Sequence, residues 1–140
     1  MNFFSDINNL VLLAIVALSG GALIAHTLQR AGAKVTPLQT TQLLNQGKGF
    51  ILDVRSEEEF AAGHIKDAKN IPLKSLKERI GELEKAKTRT VVTVCARGLQ
   101  SNKAASLLRK EGFEQSSSLL GGMEAWQAAG LPLSKKKEAV

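Results

Sequence analysis

The sequence predicts an α/β domain, a mostly parallel sheet with helices on both faces, preceded by one membrane-spanning helix. Three observations carry this expectation. Two short, nearly continuous apolar runs, Phe50–Val54 and Val91–Val94, have the pattern of strands buried on both faces. Capped helical segments alternate with them, and strands joined by helical crossovers form a parallel sheet. Ahead of both lies an uncharged stretch from Ile7 to Leu28. As a helix it is about 33 Å long, which matches a hydrocarbon core of about 30 Å.

Within that stretch, Leu10 to Ala25 is an unbroken run of apolar and small residues. The leader Met1–Asp6 has no Lys or Arg, which a secretory signal peptide would carry, so the segment reads as an uncleaved anchor. Arg30 and Lys34 flank its C-terminal end and Asp6 its start. The positive-inside rule then places the N-terminus outside and everything after Arg30 in the cytoplasm. Residues 1–33 are read as the anchor segment, 34–133 as the folded domain and 134–140 as a basic tail. Lys135–Lys137 of the tail read as a solvated terminus, with contact to anionic lipid as the other reading.

The domain's elements follow in order. Thr36 caps a helix with Pro37 at its first position; Leu38, Leu43 and Leu44 supply its apolar side and Gly47 closes it. After strand Phe50–Val54, Ser56 with Glu59 forms a capping-box signature for a short helix that Gly63 ends. Asn70–Pro72 is extended. Ser75 with Glu78 gives a second capping box, for a helix burying Leu76, Ile80 and Leu83. Strand Val91–Val94 leads to a helix over Leu99–Lys110 burying Leu99, Ala104, Leu107 and Leu108, with Gly112 at its end and Phe113 folding back. Ser117–Leu120 is a weak last strand. Gly121-Gly122 turns into a helix bearing Met123 and Trp126, which Gly130 and Pro132 stop.

Composition narrows the function. A hydrophobic content of 44% with 23% charged residues belongs to a folded chain rather than a disordered one. The net charge of +6 invites nucleic acid, but aromatics are only 4%, tyrosine is absent and the cations are scattered, so nucleic acid is not expected as a partner. Two histidines and one cysteine leave no metal set, and no cofactor is implied. One cysteine also excludes an internal disulfide and fits a reducing compartment.

That cysteine is Cys95, placed where a buried strand gives way to a glycine-containing loop that opens a helix. In parallel sheets, ligands bind beyond the carboxyl ends of the strands, where Cys95 and Asp53 both lie. Unpaired backbone N–H groups and the helix dipole at such a junction favour thiolate and so create a nucleophile. The other reading is a small buried hydrophobe.

Four segments taken together resemble the rhodanese family of single-domain sulfurtransferases. Leu52-Asp53-Val54-Arg55 with Glu59-Phe60 is similar to that family's D-V-R…E-F/Y signature. Gly63-His64-Ile65 through Asn70-Ile71-Pro72 is similar to its G-H-I…N-I-P stretch. Cys95 to Ser101 is similar to its active-site loop, and Gly121-Gly122 with Trp126 to its closing element. The likeness runs from about Val35 to Leu133, and the leading anchor resembles a bacterial inner-membrane branch of the family.

The resemblance implies a rhodanese-like parallel sheet of about five strands and a loop cysteine that takes sulfane sulfur as a persulfide. The sulfur then passes to a thiophilic acceptor, donor and acceptor being small molecules or proteins, with a protein partner at the membrane left open. Backbone N–H groups of about Ala96 to Ser101, Leu99 and Gln100 among them, would curve around the sulfur. Gly98 lets the main chain turn. Ser101 either bonds the sulfur or caps the helix. Arg97 either supplies a positive charge to the thiolate and an anionic donor or is a solvated loop charge. Asp53 sits nearer the pocket as an orienting group, Arg55 with Glu59 reads as a structural ion pair, and His64 as a hydrogen-bonded packing residue.

One position departs from the family pattern. Gln100 stands where many such loops carry arginine. An amide still donates a hydrogen bond but loses the bidentate, charged grip on an anion, so weaker thiosulfate turnover is expected. The rival to an enzyme is therefore a membrane-tethered docking or scaffold module that keeps the fold. A C-x5-R phosphatase would need arginine at Ser101, and a dithiol oxidoreductase a second cysteine; neither is present.

Overall fold

The structure, a computed structural model, describes the backbone of residues 3–30 and 33–135, and the side chains of residues 6–21 and 33–135. The chain divides into two compact units, Met1–Ala31 and Gly32–Val140. The first is a 28-residue helix, α1 (Phe3–Arg30). Leu10, Leu13 and Leu18 stand exposed along it. Among the described residues no helix is long and apolar enough to cross a membrane. The expected span of about 7–28 continues past Gly21 into side chains outside the described residues, as do Lys136 and Lys137 of the tail.

The second unit contains β1 (Lys34–Val35), α2 (Pro37–Asn45), β2 (Gly49–Asp53), α3 (Glu57–Ala62), β3 (Lys69–Asn70) and α4 (Leu73–Arg79). A 3-10 turn (Ile80–Ala86), β4 (Thr90–Val94), α5 (Leu99–Lys110), β5 (Ser116–Leu119) and α6 (Gly122–Ala128) follow. All strand pairs are parallel, in the order β1-β5-β4-β2-β3. The two apolar runs are adjacent central strands in register, Ile51 opposite Val92 and Asp53 opposite Val94.

Alternation along these strands builds two cores. Leu52, Val54 and Val91 pack with Leu76, Leu83, Ala104, Leu108 and Phe113, the side of α4 and α5. Ile51, Val92 and Val94 pack with Met123 and Trp126 on the opposite side, joined by Leu43 and Leu44 of α2. Each leucine fully buried in this way stabilises the fold by roughly 1.5–3 kcal/mol, which lets helices of six or seven residues persist.

Several expectations are corrected. The Ser75/Glu78 capping box does not form, because α4 begins three residues earlier. Its N-cap is Pro72, and the Leu73 N–H donates to the Val54 carbonyl, so a strand satisfies the helix start that a side chain was expected to satisfy. Leu99 is 79% exposed and Leu38 is also exposed, each lying on the outer side of its helix. The strand β1 was not anticipated; two residues carry no periodicity. Thr36, in contrast, makes the full reciprocal cap with Gln39.

Candidate active site

The carboxyl end of β4 delivers Cys95 to the edge of the sheet, and the chain then passes through Ala96, Arg97 and Gly98 into α5. Gly98 is the residue before the helix and sits at φ +106, a conformation that side chains rarely adopt. This turn brings the Gly98 N–H back to donate to Cys95 Sγ at 2.9 Å. The Ser101 hydroxyl is 3.4 Å from Sγ and donates to the Gly98 carbonyl at 3.0 Å. In the neutral thiol the S–H donates to Ser101 Oγ; once the sulfur is ionised, the hydroxyl proton can turn to it.

Cys95 is only 3% exposed. Burial pushes its thiol up, but the Ser101 hydroxyl and the backbone amides of Ser101, Gly98 and Arg97 outweigh that effect, and its pKa falls below the ordinary 9.0. Hydrogen bonds thus decide the ionisation, against desolvation.

The cradle depends on a second helix. Loop amides that point inward leave the Cys95 and Ala96 carbonyls pointing outward. Those carbonyls accept from Met123 N–H at 2.8 Å and Glu124 N–H at 3.1 Å, in the first turn of α6. The contact is close enough that a Cβ on Gly122 would overlap the Cys95 carbonyl oxygen. Thr93 fixes the other side, donating to the Ser101 carbonyl at 2.7 Å.

The remaining expected residues are distributed as follows. The Arg97 side chain is 83% exposed and lies 3.6 Å from Glu124, so its backbone amide, not its guanidinium, serves the thiol. Ser101 is fully buried inside α5 rather than capping it. Gln100 is exposed and lines a cleft beside α4.

The expected Arg55–Glu59 ion pair is not present. Arg55 instead grips Asp53, from Nη2 to Oδ2 at 2.7 Å and from Nε to Oδ1 at 3.0 Å, and donates to the Gly63 carbonyl at 2.7 Å. Glu59 instead accepts from the Ser56 hydroxyl. The physical reason is reach: two residues apart at a strand end, Asp53 and Arg55 meet in a buried pocket, whereas Glu59 faces solvent at the start of α3. The Asp53 carboxylate is thereby taken up by the backbone and guanidinium of Arg55, and it accepts no hydrogen bond from the loop. His64 donates from Nδ1 to the Phe60 carbonyl at 2.8 Å and stacks on the Phe60 ring at 3.8 Å.

Sequence reasoning missed the clamp from Met123 and Glu124 and the role of Thr93. The adjacent glycines 121 and 122 were the available signal for the first, read only as a turn.

The model of the rhodanese-like domain matches residues 36–129 of the chain. The chain belongs to that family. The YibN protein of Escherichia coli is 34% identical over 104 residues, covering 74% of this chain and 73% of YibN. The thiosulfate sulfurtransferase GlpE of Pseudoalteromonas translucida is 34% identical over 91 residues, covering 65% of this chain and 85% of GlpE. Among solved structures, a rhodanese-like domain protein from Staphylococcus aureus superposes with a TM-score of 0.65 at 31% identity, over 75% of this chain and 99% of that one. The rhodanese relatives thus include proteins named as sulfurtransferases. The five-strand parallel sheet expected from the resemblance is the sheet observed.

Proposed function

We propose that this chain is a membrane-anchored rhodanese-type sulfurtransferase that carries sulfane sulfur as a persulfide on Cys95 and passes it to a thiophilic acceptor. One observation carries the reading: Cys95 Sγ accepts from the Gly98 amide at 2.9 Å beside the buried Ser101 hydroxyl, in a loop whose amides favour the thiolate.

The chemistry follows from that cradle. The Cys95 thiolate attacks the outer sulfur of the donor. The new S–S bond forms as the old one breaks, and the leaving group departs with the bonding pair; from thiosulfate this is sulfite. An acceptor thiolate then attacks the outer sulfur of the persulfide, and Sγ leaves again as a thiolate. Neither step demands proton transfer by a side chain. The same amides stabilise charge on Sγ before the first step and after the second. Asp53, Arg55, Glu59 and His64 support the strand end and α3, without touching sulfur.

The anchor rests on the 28-residue helix α1 and on the uncharged stretch from Ile7 to Leu28. With Arg30 and Lys34 following it, the domain lies on the cytoplasmic side of the inner membrane. A reporter fused after Val140 is expected to be active only in the cytoplasm; activity on the far side overturns the orientation.

Full-length protein in detergent, incubated with thiosulfate or a low-molecular-weight persulfide, is expected to gain the mass of one sulfur atom, and the Cys95→Ser protein none. Gln100, in place of a cation, favours a second reading as a docking module without turnover. Failure of every donor to load Cys95 decides for that module.

A further inference from the structure

Leu99, expected in the core, stands 79% exposed at the start of α5. Leu120, just past β5, is 48% exposed, and the two line one small pocket of about 120 Å³ with Lys34, Arg97 and Asn102. Leucines exposed singly are ordinary; a pair of them beside cations marks a contact surface. Lys103, four residues after Leu99 on α5, adds a third exposed cation on the same helix face. Glu124, 3.6 Å from Arg97, is the acid that faces these cations, so the patch keeps a net positive charge.

The patch sits at one edge of the sheet. Lys34 belongs to the edge strand β1, and Leu120 donates its N–H to the Val35 carbonyl at 2.8 Å. The opposite edge is β3, four strand spacings or about 19 Å away, and the helix that leads toward it, α3, opens on Glu57, Glu58 and Glu59. The domain is thus basic and apolar at one edge and acidic toward the other. The chain itself enters at the basic edge. Lys34 follows Arg30, the end of α1, by four residues, which span at most about 14 Å. A bilayer that holds α1 is therefore within reach of this edge. A free anion would account for the cations but not for the leucines. An anionic leaflet accounts for both, since it offers phosphates to Lys and Arg and acyl carbon to Leu.

Resting on the anchor reading above, we propose that this edge, Leu99 and Leu120 with Lys34, Arg97 and Lys103, docks on an anionic phospholipid surface. The leucines enter the headgroup region and the cations pair with lipid phosphates. Arg97 exchanges its exposed contact with Glu124 for a phosphate. The cysteine loop is thereby held at the leaflet by its outer residues, Arg97 and Leu99. The cleft of about 760 Å³ beside α4 is lined by Gln100 and by Val54 and Leu73 of the first core, on the other side of the sheet from Leu119, and it stays open to solvent.

A nitrobenzoxadiazole label on Leu99→Cys reads the contact, in full-length Cys95→Ser protein reconstituted in discs of phosphatidylcholine with or without phosphatidylglycerol. A label on Glu58→Cys, in a separate Cys95→Ser protein, reads the acidic side. With phosphatidylglycerol present, the label at position 99 is expected to emit at shorter wavelength and to be quenched by nitroxide-bearing lipids, and the label at position 58 to do neither. With Lys34→Gln, Arg97→Gln and Lys103→Gln combined, quenching falls to the level of neutral discs, since each cation near an anionic leaflet shifts the equilibrium by about fivefold. These side chains are exposed, so unchanged circular dichroism and melting confirm that the fold is kept. Equal quenching at the two positions, or quenching at position 99 that ignores both the anionic lipid and the three substitutions, overturns the docking surface. Retention on the discs in about 1 M salt, where the Debye length is about 3 Å, reads the anchor separately. Retention with position 99 in water sinks the docking surface alone. Loss from the discs in salt, with quenching at position 99 by anionic lipid at low salt, sinks the anchor alone.

Discussion

Replacing Gly122 by alanine tests whether the thiol's ionisation depends on the docking of α6. Gly122 has φ +60, and its Cβ would overlap the Cys95 carbonyl oxygen and come within 2.8 Å of the Ala96 carbonyl carbon and oxygen. Holding alanine in the left-handed region costs roughly 1–2 kcal/mol. Relief of the overlap pushes the Cys95 and Ala96 carbonyls off the Met123 and Glu124 amides, at 2.8 and 3.1 Å, each bond contributing about 0.5–1.5 kcal/mol. Gly122→Ala is therefore expected to destabilise the domain by about 2–5 kcal/mol in urea unfolding. The midpoint of Cys95 alkylation by iodoacetamide is expected to move to higher pH, since the loop amides swing with their carbonyls. Gly81→Ala is the control, because nothing lies within 4 Å of the Cβ it adds. A Gly122→Ala protein as stable as the Gly81→Ala protein, with the thiol midpoint of the wild type, would refute the clamp.

Four further outcomes are expected. Ser101→Ala removes the hydroxyl beside Sγ, so the alkylation midpoint rises; an unchanged midpoint would show the hydroxyl to be a packing group only. With the folded thiol below 9.0, the wild type gains stability over Cys95→Ala as pH rises from the folded pKa to about 9.0. It keeps that gain above 9.0 and loses it as pH falls through the folded pKa; a pH-independent difference between the two unfolding curves rules this out. Arg55→Ala strands the buried Asp53 carboxylate and is expected to cost roughly 3–5 kcal/mol, most of it recovered in a double variant with Asp53→Asn and Arg55→Met; equal loss in both would remove the charge from the explanation. Arg97→Ala breaks only an exposed pair, worth at most about 1 kcal/mol, so stability and alkylation midpoint should stay near wild type, and a large rise in the midpoint would return the guanidinium to the site.

Local chemistry made much of the domain legible in sequence. Proline and threonine at the start of α2 and the apolar runs of β2 and β4 act within a few residues, and the helix Leu99–Lys110 was bounded correctly. At the start of α4 the partner lay far off in the chain. Val54 starts α4 through a carbonyl, so Ser75 and Glu78 were never at a helix end. The strand β5 reads as weakly apolar because its serines are buried with their polar groups satisfied: Ser116 donates to the Phe113 carbonyl at 2.8 Å and Ser118 to Asn102 at 2.6 Å. At the site, charge attraction suggested Arg55 with Glu59 and Arg97 with sulfur. In both cases the geometry of the strand end or the loop gave the partner to another group.

The thiolate here is stabilised by backbone rather than by a cation, and that has a structural consequence. A peptide unit cannot turn its N–H toward Sγ without turning a carbonyl somewhere else, and a buried carbonyl left unpaired costs about 1–3 kcal/mol. The two carbonyls turned out by the loop find their donors only in the first turn of α6, whose amides have no partners within so short a helix. The position of α6 is in turn set by Trp126, buried in the second core with its indole N–H donating to the Pro132 carbonyl at 3.0 Å. Gly121, Gly122 and Trp126 are distant from Cys95 in sequence, yet they complete the electrostatics of its sulfur. The paired glycines allow the approach, and the tryptophan holds it. A loop of the same local sequence without that helix would keep the cysteine but lose the orientation of its amides.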